Sequence, residues 1–155
     1  MKAIVVCVSV SNGNTRRVAD RMARTLDADV VEPEHVDVDE LAACDLVGFG
    51  SGIYFMNTHR RLRQLIAKLP DAAGQRAFVF ATSGSPRLPL WDFLRPTVRA
   101  LEAKGFEVVD VFSCIGLDTV GPLSLIGGVN KGRPDEQDLT AAERFARHLL
   151  QDATN

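Results

Sequence analysis

The sequence lacks long hydrophobic runs, and this limits the classes of protein to which the chain can belong. The first apolar run, Ala3 to Val8, spans only six residues. Such a run is too short for the apolar core of a signal sequence or for a helix that crosses a membrane. We therefore predict no membrane span and expect a cytoplasmic protein.

Cysteine and net charge are also scarce. The 155 residues include three cysteines, Cys7, Cys44 and Cys114, each in or beside an apolar run. Their odd number and wide spacing do not fit a disulfide framework, so buried free thiols are the simplest interpretation. The net charge is −2, from 18 basic and 20 acidic residues, and nothing in this balance indicates a nucleic-acid partner.

Several chemical motifs are missing as well. No cysteine, histidine or carboxylate set has the spacing of metal ligands, and no Ser-His-Asp arrangement is recognisable. The chain contains neither the GxGxxG nor the GxxxxGK[ST] pattern of nucleotide-binding loops. His59 stands alone at a predicted helix start, near enough to the site predicted below to act as an acid or base, although a lone histidine there is usually incidental.

Strand-like and helix-like segments alternate along the chain. Apolar runs predict five strands, at residues 3–8, 28–31, 46–51, 77–81 and 106–114. Apolar residues at helical spacing predict helices over 16–26, 57–69, 90–104 and 139–151, and residues 37–43 form a short helix or turn that starts with acidic residues. Thr140 and Glu143 form the predicted capping box of the last helix, and Pro96 either begins or bends the fourth. The alternation predicts one α/β domain over residues 1–155, with a five-stranded parallel sheet covered by helices on both faces.

The loop between the first strand and the first helix is the most informative segment. It reads Ser9-Val10-Ser11-Asn12-Gly13-Asn14-Thr15. A helix start carries unpaired N–H groups and partial positive charge, which both suit an anion. Gly13 allows the backbone to approach a ligand closely, and side-chain donors are available on the other polar residues of the loop. Because the loop contains no lysine, it predicts a monophosphate held by neutral donors.

Two further polar loops are predicted at the same edge of the sheet. Gly50-Ser51-Gly52-Ile53-Tyr54-Phe55 follows the third strand, and Thr82-Ser83-Gly84-Ser85-Pro86 follows the fourth. Ligands of parallel sheets bind beyond the carboxyl ends of the strands. The three loops together therefore predict a ligand site at this edge.

These loops resemble those of the flavodoxin family, and the resemblance covers nearly the whole chain. Flavodoxins carry a phosphate loop of the form [ST]-x-[ST]-G-N-T after their first strand, and Gly13-Asn14-Thr15 match its second half. Val10 and Asn12 stand where the family has hydroxyl side chains, so that Ser9 and Ser11 are offset by one position. The resemblance implies the flavodoxin strand order 2-1-3-4-5 and noncovalently bound FMN.

The resemblance also implies which residues contact FMN. Gly13, Asn14 and Thr15 would hold the phosphate with Ser9 or Ser11, and Tyr54 would cover one face of the flavin ring. Backbone amides after the fourth strand would bond the polar edge of the ring. The implied contacts are Ser9, Ser11, Asn12, Gly13, Asn14, Thr15, Gly52, Ile53, Tyr54, Ser83, Gly84 and Ser85. No side chain is required as a catalytic acid or base.

The implied function is electron transfer through FMN to a redox partner protein or a small electron acceptor. One alternative is an NAD(P)H-dependent quinone or protoporphyrinogen-type oxidoreductase, favoured by the missing aromatic residue in the second flavin loop. Another is a flavin-free scaffold or signalling domain, for which Val10 and Asn12 are the best argument. Arg60, Arg61 and Arg63 form a basic cluster, either a solvated helix face or a docking surface for an acidic partner.

Overall fold

The computed structural model of the chain describes residues 1–10, 13–54, 57–83, 90–115 and 132–154, without the side chains of 90–92 and 115. The strands within these residues are β1 (Ala3–Val8), β2 (Asp29–Val31), β3 (Leu46–Tyr54), β4 (Asn57–Thr58), β5 (Arg76–Ser83) and β6 (Glu107–Ile115). The helices are α1 (Asn14–Leu26), α2 (Val38–Ala42), α3 (Arg60–Lys68), α4 (Leu90–Ala103) and α5 (Glu136–Thr154), with a short 3-10 helix at Pro33–His35.

Five of these strands form a parallel sheet in the order β2-β1-β3-β5-β6. The two-residue strand β4 pairs antiparallel with the end of β3. Without β4, the order reads 2-1-3-4-5, so the predicted flavodoxin-like α/β fold is confirmed, with one strand more than expected. All six residues of β1 are buried, because helices cover a parallel sheet on both faces.

The sheet separates two hydrophobic cores, because successive residues of a strand point to opposite faces. Ile4, Val6 and Val8 of β1 pack on one face. They meet buried side chains of α3 and α4 there: Leu62, Ile66, Leu94, Val98 and Leu101. Alternate residues of β1, including Cys7, pack on the other face against α1 and α5. All three cysteines are buried and free, as the sequence predicts.

Glycines at alternate positions of β3 make room for aromatic rings of β5. Gly48 pairs with Phe78, and Gly50 pairs with Phe80. Both phenylalanines are fully buried. A Cβ atom would come within 2.4 Å of the Phe78 ring at Gly48 and within 2.1 Å of the Phe80 ring at Gly50. The two rings therefore lie across β3, and a side chain at either glycine would displace them.

The predicted start of the third helix is wrong. Helix α3 begins at Arg60 rather than near residue 57, with His59 as its N-cap. Asn57 and Thr58 instead pair with Tyr54 and Ile53 as strand β4. The chain thus returns along β3 for two residues before the helix begins, which shortens α3 at its start. In the next helix, Pro96 lies inside α4, so it does not begin that helix.

The predicted start of the last helix is also wrong. Helix α5 begins at Glu136, because Asp135 and Asp138 form the capping box. The Asp138 N–H donates to Asp135 Oδ1 at 3.0 Å, and the Asp135 N–H donates to Asp138 Oδ2 at 2.8 Å. Thr140 and Glu143, the predicted capping pair, lie inside the helix. The capping acids thus lie five residues earlier than the predicted pair.

Candidate functional site

The ends of β1, β3 and β5 meet at one edge of the sheet, as the topology requires. Val8 of β1 pairs with Ser51 of β3, and Gly52 pairs with Thr82 of β5. Eight of the predicted site residues are described at this edge: Ser9, Gly13, Asn14, Thr15, Gly52, Ile53, Tyr54 and Ser83. The other four, Ser11, Asn12, Gly84 and Ser85, lie outside the described residues. Contact of these twelve residues with a cofactor stays a prediction.

The start of α1 carries no acidic residue in its first turn. Gly13, the N-cap, has a φ of 67° and a ψ of 19°, in the left-handed region that glycine adopts without strain. A Cβ atom at Gly13 would meet no atom of the residues that the structure describes within 4 Å. The Arg16 N–H donates to Ser9 Oγ at 3.1 Å, which ties the end of β1 to the first helical turn. Because that turn contains no acidic residue, an anion there meets no carboxylate of the turn.

The Thr15 side chain makes a hydrogen bond to a distant segment of the chain. Its hydroxyl lies 2.8 Å from the hydroxyl of Thr82, and both threonines are buried. Thr82 is the penultimate residue of β5. The sequence places Thr82 in a polar loop, but it does not indicate this pairing, since the two residues are 67 positions apart.

Tyr54 lies at the end of a strand, not in the predicted loop. Strand β3 continues through Gly52 and Ile53, and Tyr54 pairs with Asn57 of β4. The ring of Tyr54 turns back over Gly52, where a Cβ atom would come within 2.9 Å of the hydroxyl oxygen. Burial raises the pKa of Tyr54 above 10, with a smaller contribution from Cys7. The half-buried phenol is therefore neutral near pH 7.

His59 is fixed beside Tyr54 by two hydrogen bonds. Its backbone N–H donates to the buried Ser51 Oγ at 3.0 Å, and its Nδ1 accepts the Arg61 N–H at 3.0 Å. The neutral imidazole therefore carries its proton on Nε2. Its ring lies edge-on to Tyr54, with centroids 5.1 Å apart and planes at 89°. The sequence predicts His59 near the site as a candidate acid or base, although a lone histidine there is usually incidental. It does not indicate the bond to Ser51, which belongs to β3.

Burial and the neighbouring arginines lower the pKa of His59. Burial is the largest cause, and the neighbouring guanidinium groups of Arg61 and Arg63 add to it, while Glu34 opposes them. The pKa of His59 is thus below its usual 6.5, which favours the neutral ring at physiological pH.

Two arginines of the predicted basic cluster make hydrogen bonds within the protein. Arg61 Nε donates to Glu34 Oε1 at 2.5 Å, and a second guanidinium nitrogen contacts the other oxygen of that carboxylate. This pairing lowers the pKa of Glu34 to about 2. Arg63 Nε donates to the Thr58 carbonyl at 3.2 Å. These contacts hold the start of α3 against its neighbours, while the side chains of Arg60 and Arg63 stay exposed.

The described residues offer little other reactive chemistry. They contain no group of three or more His, Cys, Asp or Glu residues placed to hold a metal ion. Burial raises the pKa of Cys7 to about 12 and that of Cys114 to about 12, so both remain protonated thiols. None of the helices in the described ranges has the length and apolar character needed to cross a membrane.

The fold and the polar carboxyl edge of the sheet define a flavodoxin-like α/β protein, and comparison with known proteins agrees. A family model described as a flavodoxin domain matches residues 5–116. An uncharacterised protein of Methanocaldococcus jannaschii is 37% identical over 150 residues, which cover 97% of this chain and 99% of that protein. The chain belongs to the flavodoxin family.

Solved structures show the same fold. A flavodoxin from the domain Archaea superposes with a TM-score of 0.74 at 18% identity, covering 100% of both chains. Flavodoxin 2 from Bacillus cereus gives 0.72 at 20% identity, covering 98% of this chain and 99% of that one. General stress protein 14 of Treponema denticola, solved in complex with FMN, gives 0.65 at 16% identity and covers 100% of both chains. At these identities the likeness concerns the fold.

Proposed function

We propose that this chain binds FMN noncovalently at the carboxyl edge of the sheet and transfers electrons through it. Membership of the flavodoxin family supports the proposal, and so does the FMN complex of the Treponema denticola protein. The observation that carries it is the start of α1. Gly13 is left-handed with no atom of the described residues within 4 Å of an added Cβ, and no carboxylate stands in the first helical turn.

The residues at this helix start fit a phosphate group. The first N–H groups of a helix have no acceptor within the helix, and they lie at its positive end. The Ser9 hydroxyl and the Asn14 amide add neutral donors nearby. The Arg16 guanidinium is paired with Asp20, with 2.9 Å between Nε and Oδ1. We assign phosphate binding to the backbone and neutral side-chain donors of this loop.

Each predicted site residue is assigned to one part of FMN. Gly13, Asn14 and Thr15 hold the phosphate, with Ser9 or Ser11 as a further donor and Asn12 in the same loop. Tyr54, following Gly52 and Ile53, covers one face of the ring as an uncharged phenol. Ser83, Gly84 and Ser85 line the polar edge of the ring. Bound FMN supplies the electron-transfer chemistry, while the protein provides position and electrostatics.

In this proposal the chain is a cytoplasmic electron carrier. Its partner is a redox protein or a small electron acceptor that reaches the flavin at the carboxyl edge. The Arg60 side chain and the fixed Arg63 guanidinium lie on the first turn of α3, beside that edge. An acidic partner surface is the matching charge.

The purified chain tests the proposal directly. The protein is incubated with excess FMN, freed of unbound flavin and examined by visible absorption and flavin fluorescence. A retained flavin band with quenched fluorescence, and tighter binding of FMN than of riboflavin, is the expected result. A colourless protein that also fails to bind FMN in titration would overturn the proposal and favour a flavin-free scaffold.

A second candidate function is reduction of a quinone-like substrate by NAD(P)H at the same site, and the geometry of His59 favours it. Quinone reduction consumes two electrons and two protons, of which NAD(P)H supplies a hydride and solvent the second proton. The Nε2–H of the neutral His59 ring, beside Tyr54, is placed to donate a hydrogen bond to a quinone oxygen as negative charge develops there. Steady turnover of a quinone with NAD(P)H, without a separate reductase, would distinguish this enzyme from a carrier. In that case His59→Asn slows turnover, whereas in a carrier it leaves one-electron exchange unchanged.

A further inference from the structure

A hydrogen bond between two threonine hydroxyls joins the start of α1 to the end of β5. Thr15 Oγ1 and Thr82 Oγ1 lie 2.8 Å apart, and the two residues are 3% and 5% exposed. One hydroxyl donates the hydrogen bond and the other accepts it. Both buried hydroxyl groups therefore have a hydrogen-bond partner within the protein. The bond connects segments that are 67 residues apart in the chain.

The bond connects segments that the proposed function assigns to opposite ends of FMN. Thr15 is the second residue of α1, whose first N–H groups hold the phosphate. Thr82 directly precedes Ser83, where the segment along the polar edge of the ring begins. The ribityl chain that joins the ring to the phosphate limits how far apart the two ends of the flavin can lie. Donors on both segments therefore have to lie within the span of one FMN molecule.

We propose that Thr82 is a positioning residue for the FMN phosphate. Its hydroxyl holds Thr15, and with it the first turn of α1, at a fixed place relative to the end of β5. The preference of this chain for FMN over riboflavin, which lacks the phosphate, then depends on Thr82. This inference rests on the proposed function, because it concerns how the same site recognises its cofactor.

A purely structural role for the bond is the competing explanation, and the chain contains a matched control for it. Thr58 Oγ1 and Thr97 Oγ1 lie 2.7 Å apart, and both residues are 1% exposed. This second pair joins β4 to α4 and includes no residue of the predicted phosphate loop. Loss of either bond leaves a buried hydroxyl unpaired, so the two losses should reduce folding stability similarly.

The experiment compares three variants with the wild-type chain: Thr82→Val, Thr82→Ser and Thr97→Val. Dissociation constants for FMN and riboflavin are measured by fluorescence titration, and the unfolding of each apoprotein is followed in urea. We expect Thr82→Val to weaken FMN binding roughly threefold to tenfold, the equivalent of one hydrogen bond. Riboflavin binding should change less than about twofold. Thr82→Ser keeps the hydroxyl and should restore the preference for FMN.

Three results would contradict the positioning role of Thr82 or the proposed function, and each result can be told apart from the others. If the wild-type chain binds neither flavin, the proposed function fails and the inference fails with it. If the wild type prefers FMN but Thr82→Val keeps the same ratio of affinities, only the positioning role is overturned. The same holds if Thr97→Val lowers the ratio as much as Thr82→Val. Should Thr82→Val not fold, Thr82→Ala makes the same comparison with a smaller side chain.

Discussion

The ring of Tyr54 covers the backbone of Gly52 so closely that a Cβ atom at Gly52 would lie 2.9 Å from the Tyr54 hydroxyl oxygen. The same arrangement occurs two residues earlier, where the Phe80 ring covers Gly50. The two sites differ in their surroundings. Phe80 is fully buried, whereas Tyr54 is half-buried at the edge of the sheet. Because Gly50 and Gly52 have no side chain, β3 leaves room for one aromatic ring in the core and for another at the proposed flavin site.

This difference predicts unequal costs for two alanine substitutions. Gly50→Ala should lower the free energy of unfolding by about 1–3 kcal/mol, because the buried Phe80 ring has no space into which it can move. Gly52→Ala should cost less than about 1 kcal/mol, because Tyr54 can rotate towards solvent. Urea unfolding of the two apoproteins checks the prediction. Equal losses at the two positions would show that Tyr54 is as confined as Phe80.

Tyr54 should tune the potential of bound FMN more than it contributes to phosphate recognition. An aromatic ring stacked on the flavin disfavours its most electron-rich state, so Tyr54→Ala should raise the midpoint potential. The ratio of FMN to riboflavin affinity should stay unchanged, because the phosphate donors are on α1. A redox titration against a reference dye measures the first quantity, with Tyr54→Phe as the control that keeps a ring. Unchanged potentials and unchanged affinity would show that Tyr54 does not contact the flavin.

His59 should make folding stability depend on pH. Its Nδ1 accepts the Arg61 N–H, so protonation at Nδ1 ends the cap of α3. The folded-state pKa is below the usual 6.5, owing first to burial and then to Arg61 and Arg63, with Glu34 opposing. The folded protein therefore binds this proton less readily than the unfolded chain. The stability contribution is fully present above pH 6.5 and is lost as the pH falls through the folded-state pKa.

Urea unfolding between pH 5 and 8 tests this dependence, together with titration of the His59 ring by NMR. His59→Asn supplies an N-cap residue that does not titrate, so the fall in stability below about pH 6.5 should become smaller. His148→Gln replaces an exposed histidine on α5 and should leave the fall unchanged. A wild-type slope that survives in His59→Asn would assign the pH dependence to another group.

The capping box of α5 gives a further prediction. Asp135→Ala removes the side chain that accepts the Asp138 N–H at 3.0 Å, and should lower the free energy of unfolding by about 1 kcal/mol. Thr140→Ala changes a residue inside the helix and should stay within about 0.5 kcal/mol. Thermal unfolding of both variants provides the comparison. A larger loss of stability for Thr140→Ala than for Asp135→Ala would support the helix start that the sequence predicts, at residue 139.

The parallel sheet and the place of Gly13 before the first helix are well predicted because their signals are local, although α1 begins at Asn14 rather than at residue 16. The run of Ala3 to Val8 is apolar at every position, as expected for a strand with helices on both faces. Gly13 marks the left-handed residue before α1, which glycine permits without strain. The arrangement of residues 1–155 as one domain, and the contacts of the twelve site residues with FMN, stay predictions.

The predictions from sequence are wrong where several segments compete for the same hydrogen-bonding groups. A strand of two residues has no periodic pattern, so β4 is recognisable only through its pairing with β3. The last helix offers two plausible capping pairs in sequence, and Asp135 with Asp138 forms the bonds. Each outcome depends on which hydrogen bonds the folded chain completes, and local sequence does not rank those alternatives.

The sequence by itself determined the alternation of the five parallel strands with helices, the polar edge of the sheet and the position of Gly13 before α1. These follow from hydrophobic periodicity and from the conformations that single residues allow. Tertiary structure alone decided that Thr15 bonds Thr82, that Tyr54 lies over Gly52, and that His59 is held in one tautomer. Each of these depends on side chains from separate segments meeting at hydrogen-bond or van der Waals distance, and only the assembled sheet sets those distances.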